Sequence, residues 1–204
     1  MEEERFLFVG NLVCLDFVNT EVMGSEGRRD LLESFEDLAD WLRAAGAVTE
    51  EEARGAAARW GGTEEGRGAL DAARRFRAAL RETASRFSEG QAIPGGALAA
   101  INELLARPVR VARVRPVGDR FEAEERWAFR EPEDLLVPVA ESARELLCDR
   151  NPSLVRKCRN PQCILYFYDT TKNRGRAWCS MSACGNRTKV AAHYRRRRNK
   201  NSQG

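Results

Sequence analysis

Histidine is almost missing: His193 is the only one in 204 residues. That scarcity removes the commonest general base, proton shuttle and nitrogen metal ligand from nearly the whole chain. No nucleophile motif, glycine-rich phosphate loop or carboxylate pair stands in for it, so the expectation is a protein that is not an enzyme. Long apolar runs are missing too. None approaches the roughly 20 residues of a membrane-spanning helix, and no membrane partner is expected. The opening Met-Glu-Glu-Glu-Arg-Phe is acidic and lacks the basic-then-apolar layout of a secretory signal. These absences together predict a soluble, cytoplasmic protein. Repeats and long low-complexity tracts are likewise lacking.

What is present is concentrated near the C-terminus. Four of the six cysteines form two close pairs, Cys158 with Cys163 and Cys179 with Cys184, with four residues between the cysteines of each pair. Two such turns can aim four thiolates at one point, the arrangement of a tetrahedral Zn²⁺ site. Four thiolates close the tetrahedron, so one structural zinc is expected, with no position left for a reactive water. In a reducing compartment clustered cysteines favour a metal over disulfides. The other two, Cys14 in an apolar stretch and Cys148 at the end of an apolar helical pattern, are expected to be buried as small hydrophobes. His193, nine residues past Cys184, is expected on a helix face and not in the ligand set.

Charge divides the chain at the same place. From residue 151 to 204 thirteen Lys and Arg face one carboxylate, Asp169, whereas the first 150 residues hold 21 basic and 30 acidic side chains. The total of +3 therefore conceals an acidic body and a basic tail, a polarity that points to nucleic acid. Two domains are expected, 1–150 and 151–204. The second is too small to fold without a staple, which the metal supplies.

Periodicity predicts an α+β fold: a helix-rich N-terminal domain with a small antiparallel sheet, plus a C-terminal treble-clef-like zinc finger. Phe6 to Val22 is apolar and β-prone and reads as one or two strands. Helices follow after Ser34, after the Thr49–Glu52 capping box, from about Glu64 to Phe87, and from Pro94 to Leu105. Val109–Val117 and Arg120–Phe129 read as a hairpin about Gly118-Asp119, and Pro132–Cys148 as a closing helix. In the tail, Ile164–Tyr168 and Arg176–Trp178 are expected to pair about a Lys172–Gly175 turn. A helix capped by Ser180 or Ser182 then runs to about Arg198. Trp178, Tyr166 and Phe167 are the expected core of this module.

Several motifs resemble a known family. Cys158-Arg-Asn-Pro-Gln-Cys163, the loop carrying Asp169, Thr170, Asn173 and Arg176, then Trp178-Cys-Ser-Met and Cys184-Gly-Asn-Arg187 are similar to the CGNR-type zinc finger. Leu15-Asp16-Phe17-Val18-Asn19-Thr20 resembles the Leu-Asp-Phe-x-Asn-Thr motif of the ABATE domain that precedes this finger. The resemblance implies a bacterial transcription regulator with a sensor-like N-terminal domain and a finger that binds double-stranded DNA.

Residue roles can be divided on that basis. Arg187 and Lys189 on the first turns of the last helix are placed for base edges, and Arg174 and Arg176 on the hairpin for phosphates or bases. Arg195, Arg196, Arg197 and Arg198 surround the helix end and suit backbone phosphates. Asn186 is expected to brace the metal turn. Asp16, Asn19 and Thr20 interrupt an apolar segment, and either cap backbone or line a small-molecule pocket. Arg77 and Arg81, one helical turn apart, either form ion pairs or hold an anionic ligand. A homodimer is expected, because one small module offers limited contact area. RNA binding and a protein-interaction adaptor are the alternatives.

Overall fold

The computed structural model describes residues 5–185. Helices dominate residues 13–148. Helix α2 (Phe35–Ala44) opens with a reciprocal cap: Ser34 Oγ accepts from Asp37 N at 3.1 Å, and the Asp37 carboxylate accepts from Ser34 N at 2.9 Å. Thr49 and Glu52 cap α3 (Glu50–Trp60) in the same way. The longest helix, α4 (Glu64–Ser88), runs through the middle and buries Ala69, Leu70, Ala73, Phe76, Leu80, Ala84 and Phe87. These positions recur at helical spacing and form one stripe. Around α4 pack α1 (Val13–Val18), α2, α5 (Gly95–Leu105) and a short 3₁₀ turn, Pro132–Leu136, which leads into α6 (Val137–Cys148). Trp41, Phe17, Leu32, Leu38 and Leu42 fill the centre.

Three two-stranded antiparallel sheets complete the described residues. Strands β1 (Glu21–Gly24) and β2 (Gly27–Asp30) form the first, just before α2. Strands β3 (Arg110–Val117) and β4 (Arg120–Trp127) form the expected hairpin, turned at Gly118 with φ 59°. That left-handed backbone explains a glycine there. Strands β5 (Val155–Lys157) and β6 (Tyr166–Tyr168) form the third.

The structure corrects several sequence expectations. The Phe6–Val22 run is not a strand: its centre is α1, and only its end enters β1. Short apolar runs do not distinguish strand from helix by periodicity. A polar contact decides this one, because Asp16 reaches back to the turn before α1, its Oδ1 accepting from Gly10 N at 2.6 Å. Gly10 has to be that close. A Cβ there would sit 2.8 Å from Asp16 N.

Cys148 is exposed, unlike Cys14. It lies two positions past buried Leu146, about 200° around the helix and so off the apolar stripe. The expected single helix Pro132–Cys148 starts as a 3₁₀ turn. Arg176–Trp178 forms no strand; β6 pairs instead with β5, before the first cysteine. Tyr166, expected in a separate small core, joins Val155 and Tyr168 in the main one.

Candidate metal centre

The first cysteine pair sits where β5 ends. Cys158 N donates to Leu165 O at 3.0 Å, which brings the chain after Cys163 back alongside. Between the pair, Gln162 N donates to Asn160 Oδ1 at 3.1 Å and Cys163 N to Asn160 O at 2.9 Å, so Asn160 shapes the turn with both side chain and backbone. The second pair is delivered by a loop tied at Asp169. Its carboxylate accepts from Thr171 N and Oγ1, at 3.0 and 2.6 Å, and from Arg176 N at 3.0 Å. Burial pushes this carboxyl up, but those hydrogen bonds and the charge of Arg156 hold it below the usual range. The chain then closes in one wide turn, Met181–Gly185, where Cys184 N and Gly185 N both donate to Ser180 O.

These turns converge. The four Sγ atoms of Cys158, Cys163, Cys179 and Cys184 all lie within 4.8 Å of one another, and all four residues are buried. A Zn–S bond of about 2.3 Å implies tetrahedron edges of about 3.8 Å. Cys163 Sγ and Cys179 Sγ are 3.8 Å apart. The site thus has the size and the soft donor set for one zinc ion, which would be a closed structural centre.

Donors surround the sulfurs. Asn160 Nδ2 is 3.4 Å from Cys184 Sγ, and Cys179 N is 3.4 Å from Cys158 Sγ. The backbone N–H groups of Asn160 and Leu165 also face Cys158 and Cys163. Such donors orient thiolates and offset their negative charge. The hydrogen bond from Cys179 holds the Cys163 thiol well below its ordinary value; that contact and burial push Cys179 up. Burial raises Cys158 as well. A divalent cation supplies the charge that lets all four ionise together.

The module is clasped to the helical body by the residues flanking α1. Asn19 Nδ2 donates to Tyr166 O at 2.8 Å and Asn19 Oδ1 accepts from Tyr166 N at 2.9 Å. Two residues along β6, Tyr168 N donates to Gly10 O at 2.8 Å and Tyr168 O accepts from Asn11 Nδ2 at 2.9 Å. Thr20 Oγ1 donates to Phe17 O and accepts from Arg77 Nη1, both at 2.8 Å or less. The Arg77 guanidinium also pairs with Asp30. Arg81 reaches the Ile164 carbonyl at 3.1 Å and pairs with Glu21 at 3.1 Å. Asn19, Thr20, Arg77 and Arg81 thus converge on one seam, and these four, like Asp16 at Gly10, are engaged with the protein's own groups.

Arg176, expected at a nucleic-acid surface, turns inward. Its Nε donates to Trp178 O at 3.1 Å and its Nη2 to Val9 O at 2.9 Å, while the guanidinium lies 4.1 Å from the centre of the Phe167 ring. Arg174 is exposed on the 172–175 turn, with φ 48°. Asn186, Arg187, Lys189, His193 and Arg195–Arg198 lie outside the described residues, as does the helix expected there. Sequence reading missed Asn160 as a thiolate donor. The only signal for it was its place inside the first cysteine turn.

Comparison with known families agrees with this arrangement. The profile of the ABATE family, described as putative stress-induced transcription regulator, matches residues 11–150. That of the CGNR zinc finger matches residues 155–197. No curated protein matches the chain. With well over half its length in the first match and the thiolate cluster inside the second, the chain belongs to the ABATE family and carries a CGNR zinc finger.

Proposed function

We propose that this regulator binds double-stranded DNA through the zinc module and the basic segment around it, residues 151–204, while residues 1–150 act as a sensor domain. One observation carries the reading. Every ion pair among the described residues joins groups between Arg5 and Arg150. Arg159, Lys172 and Arg174 are exposed on the zinc module and have no carboxylate partner among those residues. An unpaired cation accepts a phosphate without first losing a partner, and each phosphate it neutralises releases counterions.

The zinc would hold these cations in register and would do no chemistry, since thiolates fill all four positions. The role is therefore non-catalytic. Two copies on adjacent half-sites would supply the contact area that one module lacks.

Selection of bound duplexes from a random pool tests the proposal. An enriched sequence should bind by roughly 4–10 kcal/mol more tightly than random duplex. Structured RNA should not compete for it. Equal binding of all duplexes, or preference for RNA, would refute the proposal.

A further inference from the structure

A cavity of about 680 Å³ lies where α4 meets the zinc module, lined by Glu21, Arg28, Arg74, Arg77, Arg81, Glu82, Lys157 and Tyr166 among others. This volume suits a small molecule. Arg74, Arg77 and Arg81 come from successive turns of one α4 face, Arg28 from β2, and Lys157 and Tyr166 from paired positions of β5 and β6.

The wall carries an excess of positive charge: five cations against two carboxylates. Asp30, which pairs with Arg77 and Arg74, and Asp71, which pairs with Arg74, offset part of it. The two inner arginines are fixed, Arg77 by Asp30 and Arg81 by Glu21 and the Ile164 carbonyl. Arg74 is shared between Asp30 and Asp71, whereas Arg28 and Lys157 are hardly committed. Arg28 meets Glu21 only at 3.5 Å with its side chain 61% exposed, and Lys157 has no ion pair among the described residues. Rigid inner guanidiniums backed by freer outer cations suit an anion of two or three charges.

We infer that this seam is the binding site of a small polyanion, a metabolite bearing phosphate or several carboxylates. The inference rests on the sensor reading above and gives it a ligand class and a route. Lys157 directly precedes Cys158, so an anion held between Lys157 and α4 pins the zinc module against the body.

Calorimetric titration of the zinc-loaded full chain with inorganic pyrophosphate, and separately with citrate, at constant ionic strength tests this. At least one of the two should bind saturably with one site per chain. Replacing Lys157 and Arg28 together by Ala removes two charge-assisted contacts and should weaken that binding by about tenfold or more. Arg54→Ala, exposed on α3, should leave it unchanged, and zinc content should stay constant throughout. Absence of saturable binding, full retention in the double variant, or equal loss in Arg54→Ala would overturn the inference. So would displacement of the bound anion by a short DNA duplex, which would make the cavity part of a nucleic-acid surface. The direct titration contains no DNA, so its failure leaves the DNA reading standing, and the reverse also holds.

Discussion

Asn19 does with one side chain what a neighbouring strand does with its backbone. Its amide satisfies both the N–H and the C=O of Tyr166 on the open edge of β6. Both groups are buried, so Asn19→Ala leaves two polar backbone groups unpaired and should cost about 2–4 kcal/mol in urea unfolding. An Asp at this position keeps the acceptor but loses the donor and should recover only part of that. Asp16 makes a different demand. Burial pushes its carboxyl up to about 6, against the hydrogen bonds of Gly10 and Val9 and the charge of Arg176, which lower it. The folded protein then holds a proton that the unfolded chain, with its ordinary value of about 3.9, releases. This contribution is complete below about pH 4 and is lost as pH rises through 6; its full size is about 3 kcal/mol. The stability difference between wild type and Asp16→Asn should therefore change across pH 4–6 and be level elsewhere. Zinc release in acid affects both proteins and cancels in that difference. At this scale the four cysteines were legible because ligand spacing is a local property. The polar residues of the α1 motif could be recognised as needing partners, but those of Asn19 and Thr20 include groups far along the chain, Tyr166 and Arg77. Arg176 was misleading for the same reason: its charge is visible in the chain, whereas the carbonyls that hold it are assembled only by folding.

At the scale of elements, the helices were legible wherever a cap announced them, as at Ser34 and Thr49. The β3–β4 hairpin was legible from its turn and alternation. What escaped was pairing at a distance. Strand β6 lies between β5 on one edge and side chains from around α1 on the other, and nothing local to Tyr166–Tyr168 specifies either neighbour. This arrangement changes what metal loss should do. Val155, Tyr166 and Tyr168 sit in the main core, while the cysteines, Leu165 and Phe167 form a small cluster of their own. That cluster is too small to persist without its metal. Cys179→Ser should abolish stoichiometric zinc, measured as about one equivalent in the wild type, and melt the loops that carry the ligands. Helices α2 to α5 should stay folded by circular dichroism. Their unfolding midpoint should nevertheless fall, because β5 and β6 loosen from the core once the module is lost.

Across the whole molecule, charge is segregated in kind as well as in number. Most body arginines are held in ion pairs, whereas the described cations of the zinc module have none. The imbalance is visible in the sequence, and the structure adds that Arg159, Lys172 and Arg174 are exposed and without an ion pair among the described residues. Duplex affinity should accordingly reside beyond residue 150 and fall steeply with salt. If about five phosphates are neutralised, the slope of log affinity against log salt should lie near −4 to −5, at about −0.9 for each. Arg196→Ala with Arg197→Ala should flatten the slope by about 2 and weaken every duplex alike. Arg187→Ala, with zinc content and circular dichroism intact, should instead lower affinity for the preferred duplex by about 1–3 kcal/mol and leave random duplex nearly unchanged. Loss of zinc in that variant would make Arg187 a brace of the metal turn. An intact fold with undiminished preference would move base readout to Lys189 or Arg174. A slope near zero for the wild type would remove the counterion argument altogether and make the basic tail a docking site for an acidic protein.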